Sequence, residues 1–241
     1  MKKNILIILL FGVFISCNQK KSEHISTEED YLDKAFEKFK LKDFKGAIKY
    51  YTNAIKINPN NAQTYCNRGI SKEKLKDYFG AKLDYTKVIE ITPSDSEAYN
   101  YRGSTKNKLQ DFEGALADFS KAIELNPSYS EAYNSRGFSK YNLKDYKGAI
   151  LDYNKAIKLD ANYYLAYYNR GYAKNELQEY QEALSDFTKA IELNPEFSPA
   201  YINRGGCKYI LYDVNGACSD WNKAAQLGNK EAEELKKKYC Y

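Results

Sequence analysis

Histidine is almost absent from this 241-residue chain; His24 is the only one. With it go the commonest general base and the commonest metal ligand, and no pair of cysteines has metal-ligand spacing. No glycine-rich loop follows a strand to cradle phosphate. The carboxylates recur at fixed places in a pattern that suits helix caps and ion pairs better than a catalytic acid pair. No enzyme activity, metal or cofactor is therefore expected. Charge of one sign is not concentrated either: the formal net charge is +5, and the longest basic run is Lys236 to Lys238. It falls to about +3 without the segment that carries Lys2 and Lys3, too little for a nucleic-acid partner, which would want a basic face in clear excess.

Scarcity also has a pattern. Of only five prolines, Pro59, Pro93, Pro127 and Pro195 lie on one series with a period of 34 residues, and Ala161 takes the remaining place. An Arg-Gly pair keeps the same period at Arg68, Arg102, Arg136, Arg170 and Arg204, although glycine is a poor helix former. Ala47, Ala81, Ala115, Ala149, Ala183 and Ala217 form a third series. Self-similarity at such a period means stacked supersecondary units.

One unit, Ala62 to Asp95, shows the logic. Apolar or small residues at Tyr65, Gly69 and Leu75, then at Tyr78, Ala81, Tyr85, Val88, Ile89 and Ile91, return at helical spacing in two blocks. The blocks predict a helix hairpin. Asp77 at the junction is expected to cap the second helix, as are Asp43, Asp111, Asp145, Glu179 and Asp213. Pro93 is expected to end it. Folding about residue 76 sets Gly69 against Ala81, two small residues that let the backbones approach.

At fixed spacings, Tyr99, Gly103, Ala115, Phe119, Ala122 and Pro127 resemble the tetratricopeptide repeat. The same set can be read in six units, 28–61, 62–95, 96–129, 130–163, 164–197 and 198–231. The resemblance implies an all-α fold, a right-handed α-solenoid of six helix hairpins. A polar segment beginning at Asn229 is expected to close it, with the capping helix proper at 232–241. Such arrays curve, and the first helix of each unit lines the concave side. Residues expected in that groove are Phe36, Phe39, Asn67, Tyr101, Asn134, Phe138, Tyr141, Tyr168, Asn169, Tyr172, Asn203 and Tyr209, with Ile70, Asn100 and Ile202 beside them. Rings supply area at low entropy cost and amides pair with backbone, so a protein or peptide partner is expected. A glycan or cell-wall ligand is the runner-up, since aromatic faces also stack on sugars. A clamp for a C-terminal carboxylate is not predicted, because Leu32 and Phe36 stand where that clamp needs lysine and asparagine.

Family members commonly carry an apolar residue where this chain has arginine. Sixteen residues after each arginine stands an aspartate, which predicts the pairs Arg68–Asp84, Arg102–Asp118, Arg136–Asp152, Arg170–Asp186 and Arg204–Asp220. The first unit has Lys34 and Tyr50 instead and lacks both partners. Each aspartate is expected to bridge the arginine of its own unit and that of the next. A binding row for acidic partners is the other reading; since every arginine has its own acid, the structural one is preferred. Lys38, Lys72, Lys106, Lys140, Lys174 and Lys208 form a further column, expected to be solvated or snorkelling and independent of the aspartates.

The N-terminus, MKKNILIILLFGVFISC, sets two lysines before an apolar stretch, Ile5 to Ile15, that is too short to span a bilayer. Ser16 before Cys17 resembles a bacterial lipoprotein signal; Phe14 departs from the leucine commonest there. The resemblance implies removal of residues 1–16, lipid on Cys17, a tether over 17–27 that leaves His24 solvated, and anchorage on the outer side of a bacterial cytoplasmic or outer membrane. Export permits disulfides. A Cys218–Cys240 bond would staple the cap and a Cys207–Cys218 bond competes with it, while free thiols at Cys66, Cys207, Cys218 and Cys240 remain open.

Overall fold

The computed structural model describes residues 27–240. The expected signal peptide, Cys17 and His24 lie outside them, as does the tether up to residue 26. Among the described residues there are thirteen α-helices and no strand. They are α1 (Glu28–Lys40), α2 (Phe44–Ile57), α3 (Ala62–Lys74), α4 (Tyr78–Ile91), α5 (Ser96–Lys108), α6 (Phe112–Leu125) and α7 (Ser130–Asn142), followed by α8 (Tyr146–Leu159), α9 (Tyr164–Glu176), α10 (Tyr180–Leu193), α11 (Ser198–Ile210), α12 (Val214–Gln226) and α13 (Lys230–Tyr239). Each odd helix packs most closely on the even helix that follows, each even helix on the next odd one, and α13 on α12. The chain is an all-α solenoid of six hairpins.

Three local devices repeat. Asp43, Asp77, Asp111, Asp145 and Asp213 each accept the amide of a glycine three residues on, at 2.8–3.0 Å. A Cβ on those glycines would lie 2.0–2.3 Å from the capping carboxylate, so the glycine is there to admit the cap. Glu179 makes no capping bond, contrary to expectation, and Glu182 replaces the glycine in the same unit. Between the two helices of each hairpin one residue turns left-handed: Lys42, Lys76, Gln110, Lys144, Gln178 and Tyr212 have φ of 59–66°.

The third device is the helix stop, which proline accompanies in some units and not in all. Helix α8 ends at Leu159 like its counterparts although Ala161 stands in the proline's place. Its cap residue Asp160 accepts the amide of Asn162 at 2.9 Å; Asn58, Asn126 and Asn194 make the same turn in their units. In α8 this short polar side chain, which competes with the helix for backbone amides, stands without proline; in α4, where Thr92 makes no such turn, the helix ends at Ile91 ahead of Pro93, as expected.

Each hairpin closes on a buried aromatic of its second helix, Tyr51, Tyr85, Phe119, Tyr153, Phe187 or Trp221. What the missing Cβ of Gly69 makes room for first is a ring rather than Ala81. A Cβ at Gly69 would meet Cε1 of Tyr85 at 2.8 Å, and Gly103, Gly137, Gly171 and Gly205 meet the equivalent rings at 2.6–3.0 Å. The glycine accepts a ring edge across the hairpin. The periodic alanine is fully buried in every unit.

Burial raises the phenols of Tyr85 and Tyr153 above their ordinary value and lifts Tyr163 to about 12. An unfolded tyrosine titrates near 10.0. Burying these neutral phenols therefore carries no pH penalty below pH 10, and stability falls as the pH climbs from 10 towards 12. Melting temperatures should be flat from neutrality to that point and then drop steeply, with the late phenolate absorbance appearing only as the chain unfolds. Full titration of the tyrosines in a folded chain would contradict the burial.

The solenoid closes at its C-terminal end with α13, which begins at Lys230, two residues earlier than expected, with Asn229 as its cap. Cys218 and Cys240 form a disulfide that ties the end of α13 to α12, so the competing Cys207–Cys218 pairing is not the one formed. Cys66 and Cys207 are free thiols. Among the described residues, no helix is long and apolar enough to cross a membrane.

Candidate functional site: the inner groove

The first helices touch one another from unit to unit, α5 with α7, α7 with α9 and α9 with α11, whereas second helices make no contact of that extent. The first helices therefore stand on the inner, more crowded side of the stack.

Their stacking rests on a repeated ion-pair system. Arg68 Nε and Nη2 donate to the two carboxylate oxygens of Asp84 at 2.9 and 2.6 Å. The same fork joins Arg102 to Asp118, Arg136 to Asp152, Arg170 to Asp186 and Arg204 to Asp220. Each guanidinium lies 5.4–5.6 Å from the ring three residues before it, Tyr65, Tyr99, Tyr133, Tyr167 or Tyr201.

Two expectations fail here. The aspartate does not reach the arginine of the next unit, because both its oxygens are filled within its own. The crossing is made by the arginine, whose free Nη1 donates back to a side-chain oxygen of the preceding unit: Thr52, Thr86, Ser120, Asn154 and Thr188, at 2.6–3.4 Å. Nor are the lysines independent of the aspartates. Lys72, Lys106, Lys140, Lys174 and Lys208 each contact the same aspartate at 2.7–2.8 Å. Hydrogen bonding to Asp118 and Asp152 raises the affinity of Arg102 and Arg136 for their protons. These side chains are used up as architecture.

Above this layer runs a chain of four clefts that share lining residues. The first, about 170 Å³, is lined by Phe36, Phe39, Tyr51, Asn67 and Ile70. Ile70 passes it to a second of about 420 Å³, where Tyr101 lies with Glu73, Lys74, Ser104 and Lys108. Ser104 and Lys108 lead into a third of about 280 Å³, bordered by Asn107, Asn134 and Ser135. Phe138 and Asn169 join that to the last, about 180 Å³, which is walled by Tyr141, Tyr153, Tyr168 and Tyr172. Asn203 and Tyr209 line none of the four. The Asn203 amide donates to the Tyr168 hydroxyl at 3.0 Å, and Tyr209 packs on Tyr239 of α13 with ring centroids 4.8 Å apart.

The asparagines are less free than their polarity suggests. Asn134 is 8% exposed, donates to the Tyr163 hydroxyl at 3.3 Å and accepts from Asn169 at 2.9 Å. Asn100 is equally buried and donates to Tyr129. Asn134 therefore belongs to the floor of the groove rather than to its surface, and Asn100 lines none of the four clefts. The rings are better presented: Phe138 is 44% and Tyr172 37% exposed, and Tyr141 is fixed by a 3.0 Å bond from its hydroxyl to Glu176. Sequence reasoning missed Lys74, Ser104, Asn107 and Lys108. Ser104 and Lys108 lie three and seven residues after Tyr101, so helical face arithmetic could have found them. Among the described residues no group of three potential ligands could hold a metal ion.

No curated protein matches the sequence. Among solved structures, the MamA protein is 27% identical with a TM-score of 0.64, over 70% of this chain and 92% of that one. PilW, described as a widely conserved type IV pilus biogenesis factor, is 17% identical with a TM-score of 0.76, over 86% and 97%. YrrB, described as a TPR protein with an unusual peptide-binding site, is 23% identical with a TM-score of 0.60, over 78% and 97%. The last two likenesses concern the fold alone. Models of the tetratricopeptide repeat match residues 37–76, 62–95, 96–129, 130–163 and 164–197, an unbroken span of well over half the chain. The chain belongs to the tetratricopeptide-repeat family.

Proposed function

We propose that the protein is a membrane-anchored, non-catalytic scaffold that binds a protein or peptide partner along its inner groove. The observation that carries this reading is the continuous track of clefts, shared residue by shared residue, over the first five units. A compact substrate site would be one cleft; a connected row of shallow ones fits an extended chain. A relative in fold, YrrB, is described as having a peptide-binding site. The anchor rests on the sequence from Met1 to Cys17, and a structural disulfide suits an oxidising compartment outside the cytoplasm.

Phe138 and Tyr172 are exposed, so changing both to alanine should leave the melting temperature nearly unchanged. In cells treated with a crosslinker, the same change should remove the partner recovered with the wild-type protein. A loss of about 2 kcal/mol in binding is about 30-fold in affinity. A partner retained by the double variant, or binding to purified cell-wall glycan in the absence of protein, would contradict the reading. The anchor is tested separately: Cys17→Ser should release the protein from membranes, and a Cys17 peptide of unmodified mass in the wild type would refute lipidation.

A further inference from the structure

We propose that the groove selects an extended peptide bearing an acidic side chain about six residues from an aromatic or large aliphatic one. The acid lies between Lys74 and Lys108, the apolar side chain in the cleft between α7 and α9. This rests on the reading of the groove as a peptide site and adds its chemistry.

The charge argument begins with the lysines that are already used. Lys72, Lys106, Lys140, Lys174 and Lys208 are held by aspartates, and Lys40 lies over the Phe36 ring at 4.2 Å. Lys74 and Lys108 differ. Both are exposed, both border the same cleft, and among the described residues neither has a hydrogen bond or ion pair. One carboxylate, Glu73, lines that cleft as well and accepts the Thr105 hydroxyl at 2.6 Å; it keeps its charge, so two lysines against one glutamate leave the cleft with a single net positive charge for a ligand. At the other end of the track the aromatic cleft has no charged lining residue, and the hydroxyl of Tyr141 in its wall donates to a carboxylate, Glu176. An acid is therefore welcome over the second and third units and unwelcome over the fifth, which decides which of the peptide's two anchoring side chains lies over which units. Between the two ends, Asn107 accepts from Ser139 and keeps its amide donors for backbone carbonyls.

The spacing follows from the stack. The lysine cleft lies between α3 and α5, the aromatic cleft between α7 and α9, two units further on. Packed helices stand 8–10 Å apart, so two units are roughly 20 Å, which an extended chain at about 3.3 Å per residue covers in about six residues. An even spacing also sets both side chains on the same face of an extended chain, towards the groove floor.

The test uses the full chain and a random array of fluorescent, C-terminally amidated peptides of about twelve residues, roughly 40 Å when extended. Binders should carry Asp or Glu about six positions from Phe, Tyr, Trp or Leu. Lys74→Gln with Lys108→Gln should weaken them about tenfold. Much of their affinity should vanish as salt rises from about 0.1 M to about 1 M and the Debye length shrinks from about 10 Å to about 3 Å. Reversing both charges, Lys74→Glu with Lys108→Glu, should select basic peptides in their place. Binders lost on Phe138→Ala with Tyr172→Ala but lacking the acid, or indifferent to the lysines, would overturn this inference and leave the peptide groove standing. An array with no binder, or with binders indifferent to both pairs of changes, would overturn the groove reading and this inference together.

Discussion

Replacing Asp152 by alanine should lower the unfolding free energy by about 3 kcal/mol or more, and it should cost more than replacing either of its partners. The carboxylate is 6% exposed, against 21% for Arg136 and 23% for Lys140, and it alone neutralises both cations. Without it, two like charges are held side by side with the guanidinium fork unpaired. Arg136→Met is milder, since Asp152 keeps Lys140 at 2.7 Å and Ser120 loses only a 3.3 Å bond. Lys140→Met is milder still, because the two-bond fork survives. Asp152→Asn should fall between alanine and wild type, one acceptor oxygen remaining. Urea unfolding followed by circular dichroism ranks the four variants. Equal losses for Asp152→Ala and Lys140→Met would remove the aspartate from the centre of the system. Since each unit of a solenoid contacts only its neighbours, a break in the fourth of six should also part the unfolding of the two halves.

Opening the Cys218–Cys240 bond should free the cap. The bond closes a loop with a sequence separation of 22, for which chain entropy alone gives about 3 kcal/mol. Helix α13 has ten residues, too few to be stable by itself. What remains to hold it is Ala232, buried against Ala190, Ala224 and Tyr201, and the Tyr239 ring on Tyr209 and Trp221. A dithiol reductant, or Cys240→Ser, should therefore speed hydrogen exchange in α13 and then in α12, leaving α1 to α8 unchanged. Unaltered protection of α13 would show that packing alone retains it. Cys66 and Cys207 will not confuse the experiment, since burial pushes their thiols up to about 12 and about 11 and keeps them protonated and unreactive.

The units were legible because their signals are redundant: Ala81, Asp77 and Pro93 each carry the same period, so losing one, as at Ala161, Glu179 or Glu182, does not hide the pattern. The Arg68–Asp84 pair was legible for a related reason, since both members are missing together from the first unit. The lysine column misled because it continues there. Lys38 has no buried aspartate and turns instead to the capping Asp43 at 3.2 Å, so one conserved spacing serves two partners. The crossing between units escaped notice because Thr52, Ser120 and Asn154 share no identity, only a side-chain oxygen at the right place. In the groove, Phe138 and Tyr172 followed from the helical face, whereas Asn134 and Asn203 could not be sorted by type. An amide that braces the next unit reads the same in a sequence as one that greets a ligand.

The central claim is that the inner face, rather than the outer one, receives a partner. A photoreactive phenylalanine analogue placed singly at Phe138 and Tyr172, and at the exposed outer positions Phe79 and Leu151, tests it in intact cells. Crosslinked partner at the two inner positions and none at the outer pair is the expected result. Crosslinking confined to the outer pair, or equal at all four, would contradict the account.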